Sequence, residues 1–168
     1  MFNFLGKIIL KSKIERQNLS VKKAFLPWEK INKIALIIDQ RNDISKSALD
    51  KFVDGTQKHV EVYFIESRSK EKTYSDWHCF TRKERSLLSL PNSRAEETLK
   101  DKHFDVIINT CEDSNIFAAA ISLSLNALLR CGKESNFNLT DLIITKTEPY
   151  QLINYLENTV KYLKMIKV

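Results

Sequence analysis

A chain of 168 residues with 43% apolar and 29% charged side chains has the material for one buried core, which excludes a disordered or fibrous protein. Its formal charge of +6 belongs entirely to the first 33 residues, where eight basic side chains stand against Glu15 and Glu29, so the remaining body is neutral. Cys79, Cys111 and Cys131 form no CxxC pair, no apolar run approaches the roughly 20 residues that span a bilayer, and the opening MFNFLGKIIL lacks the basic start and cleavage site of a signal peptide. The expectation is a cytoplasmic protein with reduced thiols.

Along residues 2–19, Phe2, Leu5, Ile8 and Ile9 recur at helical spacing with lysines on the other side, which predicts an amphipathic helix. With a linker this basic helix fills 1–26, ahead of a single Rossmann-like α/β domain over 27–168. KIALIID (33–39) is short, β-branched and continuously apolar, as a strand buried on both faces must be, and it ends in Asp39. Asp43 then predicts the cap of a helix whose core face is Ile44, Ala48, Leu49, Phe52 and Val53 and whose stop is Gly55. HVEVYFIE (59–66) alternates in part and predicts a second, less buried strand. Residues 67–93 are polar and irregular, with a short turn around Leu87, Leu88 and Leu90.

A helix over 93–102 leads to FDVIIN (104–109), another buried strand. Thr110 and Asp113 stand at capping-box spacing, with Ser114 as a rival cap, ahead of an alanine-rich helix through FAAAISLSL that Asn126 closes. ALLRC (127–131), ended by Gly132, and NLTDLIITK (138–146) predict two more strands. Thr147 predicts the cap of a last helix with Leu152, Ile153, Leu156, Val160 and Leu163 on its core side.

Buried strands alternating with helices predict an α/β fold, a Rossmann-like three-layer sandwich with a mainly parallel sheet and helices on both faces. Ligands of such sheets bind beyond the carboxyl ends of the strands, which selects the turns 39–43, 66–68 and 110–115. The ligand-binding candidates there are Asp39, Arg41, Asp43, Thr110, Asp113, Ser114 and Asn115. Asp39 and Asp113 can pair, or grip a cation with Glu112; the bland reading, Asp in turns and caps for local hydrogen bonds, is favoured.

Catalytic signatures are missing. With only Gly6, Gly55 and Gly132, neither glycine-rich phosphate motif fits, because a backbone carrying Cβ atoms cannot approach a pyrophosphate closely; no cofactor is expected, and Glu112 and Asp113 repel other anions. His59, His78 and His103 are dispersed, so no metal is expected, and no nucleophile elbow is present, so no catalytic residue is assigned. Cys111 beside a helix start reads either as an activated thiol or, given its acidic neighbours, as a small buried strand-end residue; the second is favoured. Residues 67–85 interleave Arg68, Lys70, Lys72, Arg82, Lys83 and Arg85 with Tyr74, Trp77 and Phe80, as a single-strand nucleic-acid surface does. Glu71, Asp76 and Glu84 dilute that charge, which favours a solvated connection anchored by its aromatics, and no nucleic-acid partner is expected.

At FDVIINTCEDSNIFAAAISLSLNALLRCG the chain resembles a Bacteroidetes family of small, uncharacterised α/β proteins, a domain of unknown function. The likeness runs through the basic N-terminal helix, KIALIID, HVEVYFIE, CFTRKE and LTDLIITK, and since that family has no established activity it supplies no functional residues. Residues 104–132 are also weakly similar to the N-terminal half of heptosyltransferase-like glycosyltransferases, where a strand of this type leads through a helix to a short basic strand ending in glycine, here LLRCG. Those enzymes hold the nucleotide sugar mainly with a second Rossmann-like half, for which this chain is too short.

The leading expectation is a non-catalytic cytoplasmic domain that binds a protein partner or small ligand at the carboxyl edge of its sheet. One alternative is a partial or degenerate glycosyltransferase-like enzyme acting on a sugar or sugar phosphate. Another is a peripheral membrane protein whose Lys7, Lys11, Lys13, Arg16, Lys22 and Lys23 face anionic lipid. Sequence leaves strand order and oligomeric state open.

Overall fold

The structure, a computed structural model, describes residues 2–18, 23–39, 44–65, 76–112, 114–145 and 149–167. Among them, the strands β1 (Lys33–Asp39), β2 (His59–Ile65), β3 (His78–Phe80), β4 (His103–Asn109), β5 (Asn126–Gly132) and β6 (Leu142–Ile143) form one sheet. Their order is β3-β2-β1-β4-β5-β6 and every neighbouring pair is parallel. The helices are α1 (Phe2–Asn18), α2 (Lys46–Thr56), α3 (Ser93–Leu99), α4 (Ile116–Ser124) and α5 (Leu152–Met165).

Six of the seven β1 residues are buried because both faces of the strand are covered. Ile34, Leu36 and Ile38 meet Leu49 of α2 and Leu156 and Leu163 of α5. Ala35 and Ile37 point the other way, to Leu99 of α3 and Phe117 and Ile121 of α4. Each buried Ile or Leu contributes about 1.5–3 kcal/mol, so this central strand anchors both layers. The edge strands are three and two residues long, which limits the unpaired backbone at the rims. The Rossmann-like three-layer arrangement is therefore present, with a wholly parallel sheet.

α1 adds a layer outside α4, and it packs with a different face from the expected one. Leu10 and Ile14 are buried against Ile116, Ala119, Ala120 and Leu123, whereas Leu5, Ile8 and Ile9 are exposed. The side chain of Phe2 lies outside the described residues. Gly6 decides the choice of face, since a Cβ there would overlap the carbonyl oxygen of Leu88. Covered by the sheet on one side and α1 on the other, α4 is buried from Ile116 through Leu123, which explains a segment apolar all round.

Several element ends differ from expectation. α2 is capped by the Ser45 hydroxyl, which accepts from the Ala48 amide, while Asp43 lies outside the described residues. Gly55 does not stop α2; Gln57, at φ 54°, does. α4 is capped by Asn115 rather than Thr110 or Ser114, and it ends at Ser124 with Leu125 as its C-cap, so Asn126 already belongs to β5. α3 ends at Leu99, three residues early. The expected strand over 138–146 is reduced to Leu142–Ile143, and α5 starts after Gln151, with Thr147 outside the described residues.

The irregular stretch contains β3 as a parallel edge strand, followed by a short turn in which Glu84 and Thr81 cap each other. Of its aromatics, Phe80 is buried and the Trp77 ring lies 5.5 Å from that of Phe64, while Tyr74 lies outside the described residues.

Candidate functional site

The strand order reverses between β1 and β4, the place where an open parallel sheet leaves a crevice at its carboxyl edge. Asp39 closes β1 there and is only 3% exposed. Ile37 pairs with Asn109 across the two strands, which brings Thr110 to the β1 backbone. Both the amide and the hydroxyl of Thr110 donate to the Ile37 carbonyl, each at 3.0 Å, so this side chain pins the β4 turn to β1 and is fully buried. The Asn109 carboxamide oxygen accepts from the Cys111 amide at 3.0 Å and tightens the same turn.

Asn115 links the two sides of the reversal. Its Oδ1 accepts from the Ala118 amide and caps α4, while its Nδ2 donates to Asp39 Oδ2 at 2.8 Å. The structure thus brings Asp39, Thr110 and Asn115 together and leaves Ser114 exposed beside them. Arg41, Asp43, Asp113 and the turn 66–68 lie outside the described residues.

A second group, which sequence reasoning had not assembled, adjoins the end of β5. Lys133, next to Gly132, donates to Glu112 Oε1 at 2.7 Å and stands 4.5 Å from the centre of the Tyr150 ring. Burial, then the nearby Glu112 and Cys111, push the Tyr150 phenol up to about 12. The Tyr155 ring lies 5.9 Å from that of Tyr150, and its buried hydroxyl has no hydrogen-bond partner among the described residues. The signal in sequence is positional only: Lys133 follows a strand-ending glycine and Tyr150 precedes a helix.

A cavity of about 20 Å³ lies among Asn109, Cys111, Glu112, Arg130 and Lys133, room for about one water molecule. Cys111 is buried, as the structural reading of that thiol requires. Arg130, the basic residue of LLRCG, does not reach the edge. Its Nη2 donates to the Leu125 carbonyl at 3.0 Å and its Nε to that of Ser122 at 3.4 Å, at the carboxyl end of α4 where a cation offsets the helix dipole. Gly132 is needed for packing, since a Cβ there would meet Asn109 O at 2.8 Å.

A surface groove of about 550 Å³ between α2 and α5, lined by Phe52, Thr56, Val160 and Met165, lies at the opposite edge of the sheet. Among the described residues no group of three or more His, Cys, Asp and Glu is placed to hold a metal ion. His59 and His78, far apart in the chain, do meet at Glu61, 3.5 and 3.4 Å from its carboxylate oxygens.

An all-parallel sheet of this order with no glycine-rich turn fits a small uncharacterised α/β family, and a model of a family of unknown function, DUF6913, matches residues 3–166. The chain belongs to the DUF6913 family. No curated protein and no solved structure matches it. The DUF6913 match takes in α1 as well as all six strands.

Proposed function

We propose that this DUF6913 chain is a non-catalytic binding domain whose protein partner rests on the carboxyl edge of the sheet, across the β1–β4 reversal. The observation that carries the reading is the Asn115–Asp39 hydrogen bond, which holds the α4 amino terminus and the β1 end as one rigid polar rim. Small-molecule sites are usually cavities of several hundred Å³, whereas the cavity beside Glu112 and Lys133, at the β4–β5 end of this edge, is about 20 Å³, which favours contact by a partner surface there over an enclosed ligand. At the rim the exposed Glu112 carboxylate, held by Lys133, and the exposed Ser114 hydroxyl present acceptor oxygens. A partner offering N–H groups or basic side chains complements them.

The test is a photo-cross-linking residue placed at exposed Ser114, with exposed Asp101 at the opposite edge as the control, in the cells that make the protein. A discrete protein adduct from position 114, absent at 101 and lost with Glu112→Lys, is expected. Equal adducts at both positions, or none, defeat the proposal. Stabilisation by millimolar sugar phosphates or nucleotide sugars, with turnover, favours the glycosyltransferase-like alternative instead.

A further inference from the structure

α1 has two apolar faces, and the fold uses one. Gly6, Leu10 and Ile14 repeat every four residues and pack toward α4 and Leu88. Leu5 and Ile8 fall on the opposite side with Phe4 and Ile9 flanking them, and these four are 47%, 51%, 66% and 36% exposed. A contiguous apolar strip on the outermost helix marks a binding surface rather than scattered exposure.

Charge selects the occupant. By helical periodicity Lys7 and Lys11 run along one border of the strip and Lys13 and Arg16 along the other, all exposed. None of the four makes an ion pair among the described residues. The one acid of α1, Glu15, lies two turns beyond Ile8, past the apolar half. A second copy of this face would set the same lysines against each other. The strip is also a convex ridge, which a bilayer accommodates without a matching groove.

We infer that the outer face of α1 lies flat on an anionic membrane surface, Phe4, Leu5, Ile8 and Ile9 entering the headgroup boundary while Lys7, Lys11, Lys13 and Arg16 reach lipid phosphates. Among the described residues no helix is long and apolar enough to cross a membrane, and a helix lying in the interface needs no such length. The binding is independent of the carboxyl-edge proposal, because α1 stands outside α4 and uses none of the rim residues.

Co-sedimentation of the full chain with phosphatidylcholine vesicles, with and without phosphatidylserine, tests this. Pelleting with phosphatidylserine only, falling as salt rises past the screening range, is expected. Leu5→Ser/Ile8→Ser and Lys7→Glu/Lys11→Glu each weaken it by about tenfold or more, with melting curves unchanged because all four side chains are exposed. Lys13→Glu/Arg16→Glu repeats the charge arm should either variant unfold. Absence of pelleting by the wild type, pelleting that no variant weakens, equal pelleting on neutral vesicles, or self-association lost in Leu5→Ser/Ile8→Ser without vesicle binding would overturn the inference.

Discussion

Glu61, on β2 with a side chain 14% exposed, gathers partners from β1, β2, β3 and the turn between α3 and β4. Lys102 and Lys33 approach at 3.0 Å and the Tyr63 hydroxyl donates at 3.0 Å, with His59 and His78 close by. Burial alone would push its carboxyl up, yet the hydrogen bonds from Lys102, Lys33 and Tyr63 prevail and hold it down at about 2. A carboxylate held below its ordinary 4.5 contributes its full stability above that pH and loses it as pH falls toward about 2. Urea unfolding over this range should therefore show an acid limb that Glu61→Gln flattens, and at neutral pH the substitution should cost about 1–2 kcal/mol. An acid limb of unchanged steepness in Glu61→Gln would remove Glu61 as its source. Nothing in the sequence pairs Glu61 with Lys102, 41 residues away. Asp39 and Asn115 were legible one at a time, as a strand end and a turn residue, but their hydrogen bond spans 76 residues.

At the scale of elements, hydrophobic periodicity located β1, β2, β4, β5 and the four longer helices, because a strand or helix records its burial in its own residues. Ends were less legible, since stretches such as DISKS (43–47) and TCEDSN (110–115) offer several competing caps: Ser45 rather than Asp43 begins α2, and Asn115 rather than Thr110 begins α4. β3 escaped notice because three paired residues are too few to show a period. Gly55 yields a direct test. It sits inside α2 with open space where a Cβ would be and without a positive φ, so Gly55→Ala should raise stability by about 0.5–1 kcal/mol and the melting temperature by about 1–4 °C. A lower melting temperature would mean that α2 does stop at Gly55.

At the scale of the molecule, α1 is both a structural layer and an outward surface, and the two roles belong to different side chains. Leu10 and Ile14 are buried against α4, so Leu10→Ser/Ile14→Ser should cost about 3 kcal/mol or more and open Ile116 and Leu123 to an apolar dye. Leu5→Ser/Ile8→Ser should melt with the wild type. Equal melting of the two double variants would show that α1 is not seated on α4 as described. The opposite edges of the sheet divide the surface in the same way: the described carboxyl edge carries the polar residues Asp39, Glu112, Asn115 and Lys133, whereas the open groove between α2 and α5 lies at the amino edge.

By itself the sequence determined that this chain builds a buried parallel sheet between helices, that its excess positive charge sits at its amino terminus, and that it carries no glycine loop for a nucleotide. These are local properties, written in the period of apolar residues and in the glycine count. Only the tertiary structure decided which face of α1 packs, that Arg130 caps α4 instead of reaching the edge, and that Asp39 is held by Asn115. Each of those choices depends on backbone approach or hydrogen bonding between residues distant in the chain, which no local pattern encodes. α1 shows why most plainly: both faces satisfy the helical period, and the clearance at Gly6 against Leu88 selects between them.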